Sequence, residues 1–285
     1  YHTPMSMVPK AKRLLLYMLK KLFILASLTA ALSSCGEYYQ VQKSQDISER
    51  YSFAKKSYNE QRYGRVITLL EDLIPSLSGT TEGPQSTFLL ADSYFHAKRE
   101  AEAAQYFKTY YTSYPKGEQI EEARYKAGYC NYLASPEPRL DQSATINAIQ
   151  DLQNYLEYYP QGAYRKDVER MLFDLQDKLA EKELLSAKLY YNLGLYLGNN
   201  YESSIITAQN AIKDYPYSKH KEELMFLILK AKSEEASLSV LEKQQERVRE
   251  AIDHYYNYIN IFPEGRNLKE ATALYEKMNK ILIKE

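Results

Sequence analysis

Residues 84–117 read PQSTFLLADSYFHAKREAEAAQYFKTYYTSYPKG, and the reading of these 34 positions decides the fold. Leu90-Ala91-x-x-Tyr94 places apolar side chains on one face of a first helix, because positions three and four apart are neighbours on a helical surface. Ala103-x-x-x-Phe107-x-x-Tyr110 does the same on a second helix. Pro115 closes the unit. It has no N–H to continue a helical ladder, and it pushes Tyr114 before it out of helical backbone.

The same ending recurs at Tyr159-Pro160, Tyr215-Pro216 and Phe262-Pro263. Successive prolines lie 45, 56 and 47 residues apart, which is the spacing of helix-pair repeats carrying insertions. Strand-like alternation is almost absent beyond residue 46, so the expected class is all-α. The unit from Pro84 to Gly117 resembles the tetratricopeptide repeat, in which small residues let two antiparallel helices approach and large ones fill the gap. That resemblance assigns Ala91 and Ala103 to close contacts and Tyr94 and Phe107 to filling. It implies a tetratricopeptide-repeat superhelix of about five helix pairs plus a C-terminal capping helix.

The other units vary the pattern. Unit one has Phe53-Ala54 and Tyr58, then Tyr63-x-x-Val66-Ile67-x-x-Leu70, and Pro75 predicts that its second helix stops short. Unit three has Ala127-Gly128 and Ala148-Ile149-x-x-Leu152-x-x-Tyr155, separated by a Pro-rich loop at Ser135-Pro136-Glu137-Pro138-Arg139. Unit four runs from about Glu183 to Pro216, with Tyr201-x-x-Ser204-Ile205 opening its second helix. Unit five ends at Pro263 after Ala251-Ile252-x-x-Tyr255-x-x-Tyr258, and Asn267 to Lys284 is expected to close the stack. Arg165 to Leu197 contains no Pro, and its first Gly is Gly194, so it reads as one long or barely broken helix. The expected division is therefore 47–164 for repeats 1–3, and 165–285 for the linker helix, repeats 4 and 5 and the final helix.

Ahead of the repeats, Met18-Leu19-Lys20-Lys21 is a short basic start, and Leu22 to Leu32 follows without a charge. Eleven such residues are too few to span a hydrocarbon core of ~30 Å as a helix, but they suit a secretory leader. Met5, Met7 and Met18 are available starts, and Met18 gives a leader of ordinary proportions. Leu32-Ser33-Ser34-Cys35 resembles the bacterial lipobox. The resemblance implies diacylation of Cys35 and removal of a signal peptide over 1–34. Residues 35–46 then read as a lipidated tether, since Gly36 to Gln45 lacks a helical apolar period. Two acyl chains make a stable anchor where one is marginal, so the membrane is reached through lipid alone.

The 37 basic and 37 acidic residues balance over the whole chain. Lys10, Lys12, Arg13, Lys20 and Lys21 all precede Cys35, which leaves an acidic excess of five beyond it. That speaks against nucleic acid as a partner. Cys130, inside an apparent helix, reads as a small packing residue, and with Cys35 acylated no disulfide can form. His2, His96, His220 and His254 share no metal-ligand spacing, and no phosphate-cradling or nucleophile motif is present. The sequence therefore predicts no catalytic residue, metal or cofactor. Twenty-nine Tyr and no Trp fit core packing with hydroxyls at the solvent edge, or a peptide-binding surface.

Tyr63-Gly64-Arg65-Val66-Ile67, Tyr114-Pro115 and Glu181-x-Glu183-Leu184-x-x-Ala187-x-x-Tyr190, with the lipobox and the repeat count, resemble the BamD family of outer-membrane assembly lipoproteins. The resemblance implies a non-enzymatic scaffold lipid-anchored in the outer membrane and facing the periplasm. It implies C-terminal repeats that hold a BamA-like barrel protein, and N-terminal repeats that receive unfolded outer-membrane proteins by their C-terminal segments. The alternative is another periplasmic scaffold of the same repeat type, serving envelope maintenance or division. Stacked helix pairs also present a surface of first helices suited to an extended peptide. On it, Arg50, Lys55, Tyr58 and Asn59 of unit one and Thr87, Tyr94 and Lys98 of unit two are the candidate groove residues.

Overall fold

Beyond residue 46, eleven helices follow one another in the computed structural model, which describes Met18 and residues 36–282. They are α1 (Ile47–Asn59), α2 (Tyr63–Leu77), α3 (Gly83–His96), α4 (Glu100–Ser113), α5 (Ile120–Ala134), α6 (Ser143–Tyr158), α7 (Arg165–Leu193), α8 (Asn200–Asp214), α9 (Lys221–Ser237), α10 (Leu241–Ile261) and α11 (Leu268–Leu282). No strand occurs among the described residues. The signal peptide over 1–34 and the acylation of Cys35 lie outside the described residues. The chain groups into two compact units, one ending at Tyr110 and one beginning at Tyr111, within α4.

In the first unit α1 packs on α2 and α2 on α3, while the first helices α1 and α3 also touch. This is the neighbour and next-neighbour pattern of a tetratricopeptide-like array. The small residues sit where helices approach: Ala54, Ala91 and Ala103 are completely buried. Phe107 and Tyr94 fill the space between, with Phe88 edge-on to Phe107 at 5.5 Å and to Tyr110 at 5.4 Å. Asp46 starts α1 by accepting from the backbone N–H of Ser48 and Glu49, at 2.8 and 3.2 Å.

Two sequence expectations are corrected here. The segment read as a tether without a helical apolar period is helical over residues 36–43. Tyr38 and Val41, three apart, share a face: Val41 is buried, and Tyr38 lies 6.2 Å from Phe53 under the Arg65 guanidinium. Contacts with the repeat body supply what the local pattern lacks. The second helix of unit one also does not stop at Pro75 but continues to Leu77. Pro75 forfeits only one ladder bond, to an exposed turn, while Leu73 and Leu77 on either side are buried and hold the last turn in place.

In the second unit the Pro-rich loop follows α5 as expected. Its conformation is set by the Gln142 side chain, which donates to the carbonyls of Glu137 and Leu140 at 2.8 and 3.1 Å. α5 and α6 meet at Gly128, where an added Cβ would lie 2.7 Å from Cδ2 of Leu152. α7 is continuous for 29 residues and serves two cores. Val168, Met171 and Leu175 pack with Ala148, Leu152 and Tyr155, whereas Leu184 and Ala187 pack with α8 and α9. It ends at Gly194, whose φ of 55° is a left-handed backbone that favours glycine. α9 is apolar all round from Leu224 to Leu229 because that stretch lies between cores: Leu224, Leu227 and Ile228 face α7 and α8, while Met225, Phe226 and Leu229 face α10 and α11.

The aromatic-Pro endings share one geometry. Tyr159, Tyr215 and Phe262 have φ near −130° and ψ between 62° and 68°, and each donates its N–H to the residue four before it at 2.8–2.9 Å. Two of these turns are clasped. Tyr155 Oη donates to Glu121 Oε1 at 2.7 Å, and the same oxygen accepts from the N–H of Ala163 at 2.7 Å. Two repeats later, Tyr258 Oη donates to Glu222 at 3.0 Å, and Asn267 N–H reaches the same carboxylate at 3.4 Å. Between them, the pair at Tyr215-Pro216 has Ala211 where the others have tyrosine. There the buried Asp177 accepts directly from Lys219 N–H at 3.0 Å. In each case a carboxylate on a first helix satisfies a backbone N–H just ahead of the next helix.

Gly162 and Gly265 leave room for the clasps. A Cβ there would stand 2.3 Å from Tyr155 Oη and 2.6 Å from Tyr258 Oη. Gly162→Ala should therefore lower unfolding free energy by about 1–3 kcal/mol in denaturant titration, whereas Gly64→Ala, with open space around it, should be neutral or stabilise by up to about 1 kcal/mol. Burial and the Glu222 carboxylate push the Tyr258 phenol up to about 12. The folded state then keeps a proton that the unfolded chain releases near pH 10, so this contribution is complete below about pH 10 and lost on the way to 12. Thermal midpoints should fall across that window, and Tyr258→Phe should flatten part of the fall.

Candidate functional site

α1 and α3, the first helices of the first two repeats, are stitched along one seam. Tyr51, Lys55 and Tyr58 recur on α1 at helical spacing and meet Glu82, Gln85 and Asp92 around and within α3. Tyr51 Oη donates to Gln85 Oε1 at 2.8 Å, and its ring carries the Lys55 ammonium 4.6 Å from the centroid. Burial, then the Glu82 carboxylate, raise the Tyr51 phenol above its ordinary value. Glu82 itself is held low by hydrogen bonds from Thr80 and Thr81, and further by Lys55.

At the other end of the seam Tyr58 donates to the buried Asp92, which also lies 3.2 Å from His96. The His96 imidazole stacks on Tyr63 at 4.5 Å, and Tyr63 is edge-on to Tyr58 at 5.8 Å. The result is a closed chain of one carboxylate, one imidazole and two phenols.

The structure brings Lys55 and Tyr58 together on the partly exposed seam. Arg50 is turned onto Asp72 of α2 at 3.0 Å, and Asn59 stands exposed at the end of α1. Thr87 is buried inside α3. Tyr94 is also buried, but its edge lines a cavity of about 470 Å³ with Glu71, Arg99, Glu102 and Tyr106. Its hydroxyl donates to Glu71, its ring stacks on Tyr106 at 5.4 Å, and burial followed by Glu71 holds the phenol well above the usual range. Lys98 is exposed in a left-handed turn (φ 60°) that directs Arg99 back over the Tyr94 ring at 4.6 Å.

Asp92, His96, Tyr63 and Arg99 were not among the candidate groove residues. Asp92 carried one signal, a charge in the middle of the apolar run from Phe88 to Phe95, where an acid persists only if it is partnered. Among the described residues no three His, Cys, Asp or Glu side chains form a group that could hold a metal ion. No described helix is long and apolar enough to cross a membrane.

The family described as "Outer membrane lipoprotein" (YfiO) matches residues 43–198. The chain belongs to that family. The match begins at the end of the first described helical segment and takes in the seam of α1 and α3 together with the whole of α7. Among curated proteins, the chain is 24% identical over 226 residues to the outer membrane protein assembly factor BamD of Neisseria meningitidis, covering 74% of this chain and 83% of the relative. The protein of the same name from Neisseria gonorrhoeae is 22% identical over the same span.

The seam makes a local prediction. Tyr58→Phe removes a hydrogen bond to a buried carboxylate and should destabilise the first unit by about 1–3 kcal/mol, read as faster amide exchange in α1 and α3. Asn59→Ala, at an exposed end with no such bond, should leave exchange unchanged.

Proposed function

We propose that this chain is a non-enzymatic scaffold lipoprotein of the machinery that assembles β-barrel proteins into the outer membrane. Family membership carries this reading, supported by relatives named as assembly factors over 74% of the chain. The architecture suits the role, because a helical repeat array offers extended surface rather than an enclosed reaction chamber. The protein is held at the outer membrane by acyl chains on Cys35 and faces the periplasm. Its C-terminal repeats hold the periplasmic domains of a BamA-like barrel protein. The seam of α1 and α3 receives the C-terminal segment of unfolded outer-membrane proteins.

Lys55 and Tyr58 are the residues placed to meet such a segment, a cation for its carboxylate and a phenol ring for its aromatic side chains. Arg50, Thr87 and Tyr94 support that surface through the Asp72 ion pair and the core of α3.

A native pull-down of the tagged protein from solubilised outer membrane, read by mass spectrometry, tests the assembly reading. Near-stoichiometric recovery of a large barrel protein with repeated periplasmic domains is the expected result. Recovery of division or peptidoglycan-associated proteins without such a barrel would replace it with the envelope-maintenance role. The groove is tested separately: Tyr58→Ala with Lys55→Glu should weaken binding of a barrel protein's C-terminal peptide at least about tenfold, and unchanged affinity would remove the site.

A further inference from the structure

The helix over residues 36–43 runs antiparallel to α1. Glu37 pairs with Lys56 at 3.1 Å, the Tyr38 ring lies 6.2 Å from that of Phe53, and Ser44 Oγ donates to Glu49 at 2.5 Å. The earliest residues of the segment thus meet the latest residues of α1. Val41 is buried, and the Arg65 guanidinium of α2 covers the Tyr38 ring at 4.8 Å. Gly36 therefore stands at the end of α1 from which the chain turns into α2.

The turn between α3 and α4 lies at the same end of the first unit, because Tyr63 stacks on His96 and Tyr58 donates to Asp92. Around that end Lys56, Arg62, Arg65 and Lys98 outnumber Glu37 and Glu60, an excess that suits phosphate headgroups. Tyr39, within one turn of Gly36, is 58% exposed and carries the Lys43 ammonium 4.2 Å from its ring centroid. Exposed tyrosine of this kind settles at a membrane–water interface. The connection between α2 and α3 lies at the opposite end, where Tyr51 reaches Gln85.

One peptide bond separates Gly36 from Cys35, a step of about 3.8 Å between Cα atoms. Acyl chains on Cys35 would enter the bilayer there. Eight flexible residues would let the repeat body wander about 16 Å from such an anchor. The packed helix removes that slack. The freedom removed is comparable with the height of the unit, since α2 is 15 residues or about 22 Å long.

We propose that the 36–43 helix is an orienting strap, and that the edge of the first unit bearing the α1–α2 and α3–α4 turns lies against lipid headgroups. Acylation of Cys35 is the premise, and no protein partner is needed. The strap turns the Tyr58 end of the α1–α3 seam toward the bilayer and the Tyr51 end away from it.

The test places the acylated full chain in vesicles of phosphatidylethanolamine and phosphatidylglycerol that carry a headgroup-linked rhodamine acceptor. A donor dye is attached at Gln61→Cys, in the α1–α2 turn, or at Gly79→Cys, in the α2–α3 connection, both exposed positions. Cys130 is buried and acylation blocks Cys35, so the introduced thiol is the one that reacts. Energy transfer should be at least about twofold more efficient from position 61 than from position 79. A Gly-Ser spacer of about ten residues between Cys35 and Gly36 should bring the two efficiencies together while the chain still floats with the vesicles. Tyr38→Ala with Val41→Asp, which loosens the strap without lengthening the chain, should do the same. Equal transfer from the two positions without the spacer, or a difference that survives it, overturns the orientation while flotation leaves the anchor standing. A chain that does not float, with Cys35 unmodified by mass, removes the anchor and the orientation with it.

Discussion

The helix pairs described here depend on how closely two backbones can approach, and small buried residues stand where they meet. Where α5 meets α6, Leu152 fills the space that any Cβ on Gly128 would need. Ala54, Ala91, Ala103, Ala148, Ala187 and Ala208 do comparable work elsewhere and are fully buried. Close approach lets the large side chains of neighbouring turns interlock at interior density, and within each compact unit a helix pair gains stability from the pair beside it. The turns, the seam and the exposed edges are consequences of that spacing.

Close-packed pairs still leave helix starts with unpaired N–H groups, and here carboxylates from an earlier helix meet that need. Glu121, Asp177 and Glu222 each accept from backbone at or just ahead of the next repeat's first helix. Tyr155 and Tyr258 brace two of these acids, and the shorter Asp177 acts without one. This arrangement explains why tyrosine rather than phenylalanine stands at positions 155 and 258. A phenol can fill a core position and still reach a carboxylate at its rim, which phenylalanine cannot. The same logic joins α1 to α3, where Tyr51 and Tyr58 end on Gln85 and Asp92.

The repeats were legible because their information is local. Period, small-large alternation and aromatic-Pro endings all lie within one helix or turn, and Ala91, Tyr94, Ala103 and Phe107 are buried as the 34-residue unit implied. The failures came where distant packing outweighed local pattern. Residues 36–43 have no amphipathic period, yet are helical against Phe53 and Arg65. Pro75 is a helix breaker by itself, but the buried leucines around it carry α2 onward. Among the groove residues, helical spacing put Thr87 and Tyr94 on the same helix as Asp92 without revealing that α3 is enclosed on most of its circumference.

By itself, the sequence determined the helical class, the aromatic-Pro ends at Tyr159, Tyr215 and Phe262 and the small and large residues at the contacts of the 34-residue unit, since chain geometry imposes those at short range. Only the tertiary structure decided which polar groups meet. Arg124 reaches Tyr111, 13 residues before it, and Tyr158, 34 after it. Glu121 reaches Ala163 across 42 residues. Such pairings depend on how successive helices are stacked, and a helical period carries no information about a partner that arrives from another repeat.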